Sequence, residues 1–222
     1  MTMPAPRSER TPLTRLFPLK PTMALLLLAL LPAGCLDRGK PSPMIESYSF
    51  EYPSPGFGDL SPLGQAVKVE RFSVSKAYNT LSMVYRPEPY KLDTYASNRW
   101  MVNPGDMVSD FLLRDLRSSG LFRAAFSFRD YEDARFVIQG GVEEFLETDA
   151  GDGRSAVLTL SVTLIDLSRP AAPNRLIFQK KYSFTESFTE RTPEGLARAM
   201  SKGMEKASAL IIRDVYQALR ER

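Results

Sequence analysis

Ala156-Val157-Leu158-Thr159-Leu160-Ser161-Val162-Thr163-Leu164-Ile165 alternates apolar and hydroxyl-bearing side chains over most of its length, and this stretch decides the fold class. Successive side chains of a strand point to opposite faces of its sheet, so Leu158, Leu160, Val162 and Leu164 mark a strand with one buried face. A second run follows at 176–188, with Leu176, Phe178, Tyr182, Phe184 and Phe188 as its expected buried set. The period then changes. From Thr192-Pro193-Glu194 onward, Leu196, Met200, Met204, Ala207, Ile211, Val215 and Leu219 recur at helical spacing, the stripe of a long amphipathic helix opened by proline.

Upstream of 156, residues 136–146 complete a three-stranded meander, with Gly140-Gly141 as the expected site of a bulge. A shorter strand is expected at 124–128. Before it, Asn103 suits an N-cap, Pro104 the first helical position and Asp106 the positive end of the helix dipole. Met107, Val108, Phe111, Leu112 and Leu116 form the stripe of that helix, and Gly120 closes it. Strands are expected at 81–85 and 90–95, separated by Arg86-Pro87-Glu88-Pro89. Another spans 66–74, where the apolar set shifts from Val67 and Val69 to Phe72 and Val74 as a bulge near Glu70 would cause. Tyr48, Phe50 and Tyr52 alternate with polar neighbours before the turn at Pro53-Ser54-Pro55-Gly56. The elements add up to an α+β fold, a mostly antiparallel sheet with two helices packed on one face.

The chain has 222 residues, a hydrophobic fraction of 43% and a charged fraction of 25%, which suit one water-soluble domain and argue against disorder or a polytopic membrane protein. The net charge of +3 raises the question of nucleic acid. Arg7, Arg10, Arg15 and Lys20 against Glu9 account for all of it, which leaves 25 basic and 25 acidic residues beyond position 34. No nucleic-acid partner is expected.

That basic stretch precedes the apolar run at 23–31, which is too short for a helix crossing a ~30 Å hydrocarbon core and reads as the hydrophobic region of a signal peptide at 1–34. Leu31-Pro32-Ala33-Gly34-Cys35 follows and resembles a bacterial lipobox, with the leucine one place further back than usual. Cys35 is the single cysteine, and the resemblance implies that its sulfur carries diacylglycerol, with palmitate-type chains holding the mature N-terminus at a bilayer. Residues 35–43 would be a lipidated tether, rich in Pro and lacking periodicity, and 44–222 the domain. Leu36 occupies the position where an aspartate resembles an inner-membrane retention signal, so the periplasmic face of the outer membrane is the expected location.

Candidates for chemistry are sparse. The chain has no histidine, the commonest general base and metal ligand, and with Cys35 acylated no thiol remains. Asp130, Asp133, Glu143, Glu144, Asp149 and Asp152 are scattered, and Glu143 and Glu144 are expected on opposite faces of one strand. Asp149-Ala150-Gly151-Asp152-Gly153 lacks the glutamate of a calcium loop and reads as a hairpin turn. No catalytic residue, metal or cofactor is expected. The distinctive stretch is Tyr78 to Trp100, where Tyr85, Arg86, Tyr90, Tyr95, Arg99 and Trp100 cluster. Such residues either pack in strands, with the arginines paired to surface carboxylates, or form an interface, where Tyr, Trp and Arg are enriched. The partner-binding candidates are Tyr85, Arg86, Tyr95, Arg99 and Trp100.

Arg71-Phe72-Ser73-Val74, Val84-Tyr85-Arg86, Tyr95-Ala96-Ser97-Asn98-Arg99-Trp100 and Ser119-Gly120-Leu121-Phe122-Arg123-Ala124, in this order behind a lipoprotein leader, resemble the ABC-type transport auxiliary lipoprotein family, the paraquat-inducible lipoprotein group. The resemblance extends to about Leu219. It implies a non-catalytic accessory role beside an ABC transporter whose periplasmic component carries MCE domains, moving lipid or another hydrophobic molecule between two membranes. It brings no catalytic residues and leaves homo-oligomerisation open. Two other readings compete: an outer-membrane assembly lipoprotein unrelated to lipid traffic, and a carboxylate-dependent envelope hydrolase, which needs two carboxylates facing one cleft.

If Cys35 carries the anchor, Cys35→Ala should yield a folded protein that leaves the membrane fraction, because the domain itself is neutral and water-soluble. Fractionation with mass analysis of the mature N-terminus checks this, and recovery of the variant in the membrane pellet would contradict it.

Overall fold

The computed structural model describes residues 44–149, 153–170 and 172–222; the expected signal peptide, Cys35, the tether and Asp152 lie outside the described residues. The described elements are β1 (Glu46–Tyr48), β2 (Leu63–Val69), β3 (Ser73–Val74), β4 (Ser82–Arg86), β5 (Asp93–Trp100), α1 (Pro104–Ser118), β6 (Phe122–Ser127), β7 (Phe136–Asp149), β8 (Arg154–Asp166), α2 (Ala172–Arg175), β9 (Leu176–Phe188) and α3 (Pro193–Arg220). The fold is α+β. The strands make one sheet, with α1 packed against β2, β6 and β7, α3 against β2, β8 and β9, and the two helices touching each other.

β7 organises the sheet. One of its edges pairs with β8 along the full length, from Phe136↔Asp166 to Asp149↔Arg154. The other takes three short strands in succession, all parallel to it: β2 beside Phe136 to Ile138, β3 beside Gly141 and Val142, β4 beside Glu147 and Thr148. β6 extends the sheet from β2, β5 and then β1 from β4, and β9 from β8. The sheet is therefore mixed: the long ladders are antiparallel as expected, and the short ones beside β7, with β1–β5 and β2–β6, are parallel. Alternation in a sequence tells which face is buried and says nothing of the direction of the neighbouring strand.

Both glycines of β7 serve a close approach. Between Val69↔Ile138 and Ser73↔Gly141 the chain takes four steps against three on β7, which is the extra residue expected near Glu70. The detour drives the Phe72 ring over Gly140, where a Cβ would overlap it, and lays Ser73 against Gly141. The bulge expected at Gly140-Gly141 falls instead at Glu143, between Val142↔Leu160 and Glu144↔Thr159. It also overturns the opposite-face assignment of the two acids. Glu144 accepts from Thr159 Oγ1 (2.8 Å) and Glu143 bonds Lys181 (2.6 Å), both on the face turned away from Leu158 and Leu160 of the core.

The helices match their sequence signals. Asn103 Oδ1 accepts from the Gly105 N–H (3.0 Å), and Gly120 takes the left-handed φ of +64° just past the C-cap Ser119. Thr192 Oγ1 accepts from the Gly195 N–H, and all seven residues of the α3 stripe are at most 1% exposed. At ~1.5–3 kcal/mol for each large apolar side chain fully buried, that stripe makes α3 part of the core. Other expectations shift. β5 starts at Asp93, later than expected, and α2 is a single turn that the sequence did not signal. In β9 only Tyr182 of the expected set is fully buried; an irregularity between Leu164↔Phe178 and Ile165↔Leu176 changes the phase and leaves Leu176 exposed.

The run at 48–52 keeps its alternation without a ladder of its own beyond Tyr48. Phe50 is buried against Trp100, Phe111 and Phe145, while Tyr52 OH and Ser54 Oγ donate to the Asp115 carboxylate of α1, each at 2.8 Å. Asp115 is fully buried, and Arg114 completes its partners with Nε and Nη2 at 2.9 and 2.7 Å. A buried carboxylate is tolerated only when it is so paired, so this clamp fixes the N-terminal segment on α1.

Gly140→Ala is expected to cost about 1–3 kcal/mol by displacing Phe72 from its place, and Phe72→Leu in the same chain to recover part of that loss. Urea unfolding of the two single variants and the double variant measures the coupling, and a neutral Gly140→Ala would show that the close approach is not tight.

Candidate partner-binding surface

The stretch around β4 and β5 separates into three environments. Trp100 is 1% exposed, with its indole 5.0 Å from the Phe145 ring and 6.2 Å from Phe50. It is a core residue, which removes it from the candidate contact set: the ladder of β1, with Tyr48 beside it, and Phe145 beneath leave nothing for a partner to touch. Tyr85 and Tyr95 are half-buried and pack edge to face at 5.3 Å. Tyr95 OH donates to Glu147 Oε2 (2.7 Å), and Arg154 Nη1 bonds Glu147 Oε1 (2.8 Å) and reaches Tyr95 OH at 3.2 Å. Glu147 is 2% exposed, so the arginine and the phenol supply the partners that its charge requires. Burial first, and then the bond to Glu147, raise the Tyr95 phenol well above its ordinary pKa, so it stays a proton donor across the physiological range.

Arg86 and Arg99 form the third environment. Arg99 is exposed and its Nε donates to Ser47 Oγ (3.1 Å); Arg86 is half-buried near the Tyr78 hydroxyl. The carboxylate pairing considered for them from the sequence is absent: among the described residues neither makes an ion pair. Each guanidinium group is thus held by a hydroxyl, Arg99 by Ser47 and Arg86 by Tyr78, with donor capacity to spare.

A groove of about 860 Å³ runs beside the free edge of β1, between residues 47–53 and the first turns of α3. Ser201 Oγ accepts from the Glu51 N–H (3.0 Å) at its floor, and Glu51 and Glu194 both line it. Both acids are exposed, and Arg198 holds Glu194 at 3.1 Å. Among the described residues no group of three or more His, Cys, Asp or Glu side chains converges as metal ligands would, and no helix is long and apolar enough to cross a membrane.

Sequence reasoning missed the two buried acids that organise this region, Asp115 and Glu147. A signal existed for each: Asp115 interrupts the run between Leu112 and Leu116, and Glu147 directly follows Phe145 and Leu146.

Three comparisons bear on identity. Protein XCC0632 from Xanthomonas campestris, a DUF330 protein, superimposes with a TM-score of 0.71 over 79% of this chain and 98% of its own, at 15% identity. The hypothetical protein CT253 from Chlamydia trachomatis gives 0.50 over 72% and 100%, at 12% identity. At such identities these likenesses show the fold alone. No functionally curated protein matches the chain. The family model of the ABC-type transport auxiliary lipoprotein component matches residues 52–211, most of the described domain, and the chain belongs to that family.

Proposed function

We propose that this chain is a lipid-anchored, non-catalytic accessory subunit of an ABC-type transport system, held through Cys35 at the periplasmic face of the outer membrane, and that it binds the MCE-domain protein through which lipid or another hydrophobic molecule passes between the membranes. Membership of the auxiliary lipoprotein family supports the transport role and an envelope location. The choice of the outer membrane rests on Leu36 after the cysteine.

The observation that carries the reading of the surface is that Arg86, beside Tyr78, and Arg99, beside Ser47, have no carboxylate partner among the described residues. An unpaired surface arginine contributes little to the stability of the free domain, and one that becomes desolvated against an acidic or carbonyl-rich partner contributes strongly to binding. The exposure of Glu51 and Glu194 in the β1 groove, with Glu194 held by Arg198, favours a binding role over hydrolysis.

Arg99→Ala should leave thermal stability within about 0.5 kcal/mol of the parent, Arg86→Ala should cost about 1 kcal/mol by freeing the buried Tyr78 hydroxyl, and both should weaken capture of the MCE-domain partner by about 2 kcal/mol where the side chain is an anchor. Trp100→Ala should do the reverse in the first measurement, losing about 3–5 kcal/mol of stability as a cut core aromatic. Thermal unfolding beside quantitative pull-down checks both, and unchanged capture by the two arginine variants would remove this surface from the interface.

A further inference from the structure

The turn between β4 and β5 contains Pro87, Pro89, Tyr90, Lys91 and Leu92. Tyr90 is fully exposed, at 106%, and Leu92 is 42% exposed. Tyr90 also has a φ of +67°, the single positive value at a non-glycine among the described residues. A glycine or asparagine would take that conformation at lower cost, so the position keeps a large amphipathic ring pointing into solvent at some expense in backbone energy.

The topology brings this tip to the end of the sheet at which the chain enters the domain. β1 runs parallel to β5 with Glu46 beside Asn98, so the chain before Glu46 lies toward the Asp93 end of β5, where the turn is. Met44 and Ile45, 85% and 56% exposed, add apolar surface on that side. Met44 lies nine positions after Cys35, so the chain between them spans at most about 30 Å fully extended. Tethering at that range gives an effective concentration on the order of millimolar, enough to populate a contact too weak to hold alone.

We infer that the β4–β5 turn, through Tyr90 and Leu92 with Met44 and Ile45 beside them, rests on the lipid surface that bears the chain's own anchor, and so sets the orientation of the domain on the membrane. Tyrosine suits the headgroup level of a bilayer, with an apolar ring and a polar tip, and Lys91, paired with Glu88 at 3.2 Å in the same turn, offsets the acid that would otherwise face the headgroups. This inference rests on the reading of Cys35 as the acylated residue. Tyr131 is an internal control: it is 104% exposed but lies between β6 and β7, near the level of Ile138, nine residues down β7 from Glu147 and hence about 30 Å from the tip end.

The test is hydrogen exchange of the mature, lipidated chain reconstituted in phosphatidylethanolamine–phosphatidylglycerol vesicles, compared with the unacylated Cys35→Ser chain in buffer. The backbone amides of 88 and 90–93 should exchange at least about threefold more slowly in the lipidated sample, while those around Tyr131 stay unchanged. A lipidated chain with Tyr90→Ser and Leu92→Ser should lose the protection, with emission from the buried Trp100 showing that it remains folded. Equal exchange at the tip in the two samples, or protection that survives the double substitution, overturns the inference while leaving the anchor intact, since the same digest reports the acyl mass on Cys35. An N-terminal peptide without acyl groups overturns the anchor and the docking together. Protection that appears only on adding the MCE-domain protein assigns the tip to that partner and also overturns it.

Discussion

The structure depends on the use of both edges of β7. A strand has only two rows of backbone donors and acceptors, and each buried group must find a partner. β7 gives one row to β8 without interruption and divides the other among β2, β3 and β4, which follow one another up the same edge. β6 depends on this arrangement through β2, and β5 and β1 depend on it through β4. The two bulges that flank it, at 70–72 opposite one edge and at Glu143 facing the other, let β7 change neighbours while Phe72 on one side and Leu158 and Leu160 on the other stay in the core. Gly140 is the point where this scheme is tightest, because the Phe72 ring occupies the space of its side chain.

The parts legible in the sequence were those with a long, unmixed period. α1, α3 and β8 could be read nearly to the residue, because seven or more residues repeat one pattern and the caps Asn103, Thr192 and Gly120 sit at its ends. Short strands with few side chains left the direction of pairing unstated, and the five parallel ladders all involve such strands. Bulges were legible where the apolar set itself shifts, as near Glu70, and illegible where glycine suggested flexibility but served packing, as at 140–141. Leu176 shows the same limit: one irregularity reverses which face a residue meets, and nothing local announces it.

The candidate surface was legible as a region and not residue by residue. Tyr85, Tyr95 and Trp100 look alike in a sequence, yet one is a core anchor and two lie at a sheet margin. The difference comes from Phe50, which reaches Trp100 from outside the stretch, and from Glu147 and Arg154, which hold Tyr95 by its hydroxyl. Those are contacts over many residues of chain, and a charge buried on purpose is invisible until its partners are known. What remains is one exposed guanidinium group, Arg99, and one half-buried one, Arg86, on a chain that belongs to an auxiliary lipoprotein family.

The order of strands along β7 also governs when the chain can close. β2, β3 and β4 do not pair with one another; the β1–β5–β4 and β2–β6 ladders are joined into one sheet only through β7, which begins at Phe136, so that joining waits until well over half of the chain is available. Contacts of that sequence separation form late because loop closure must precede them. In a chain delivered from its N-terminus, the β4–β5 hairpin can pair as it arrives, and the complete sheet closes only once β7 and β8 are present. The hinge of assembly is therefore β7: whatever reaches the folding chain before it meets two separate ladders, each with an unpaired edge.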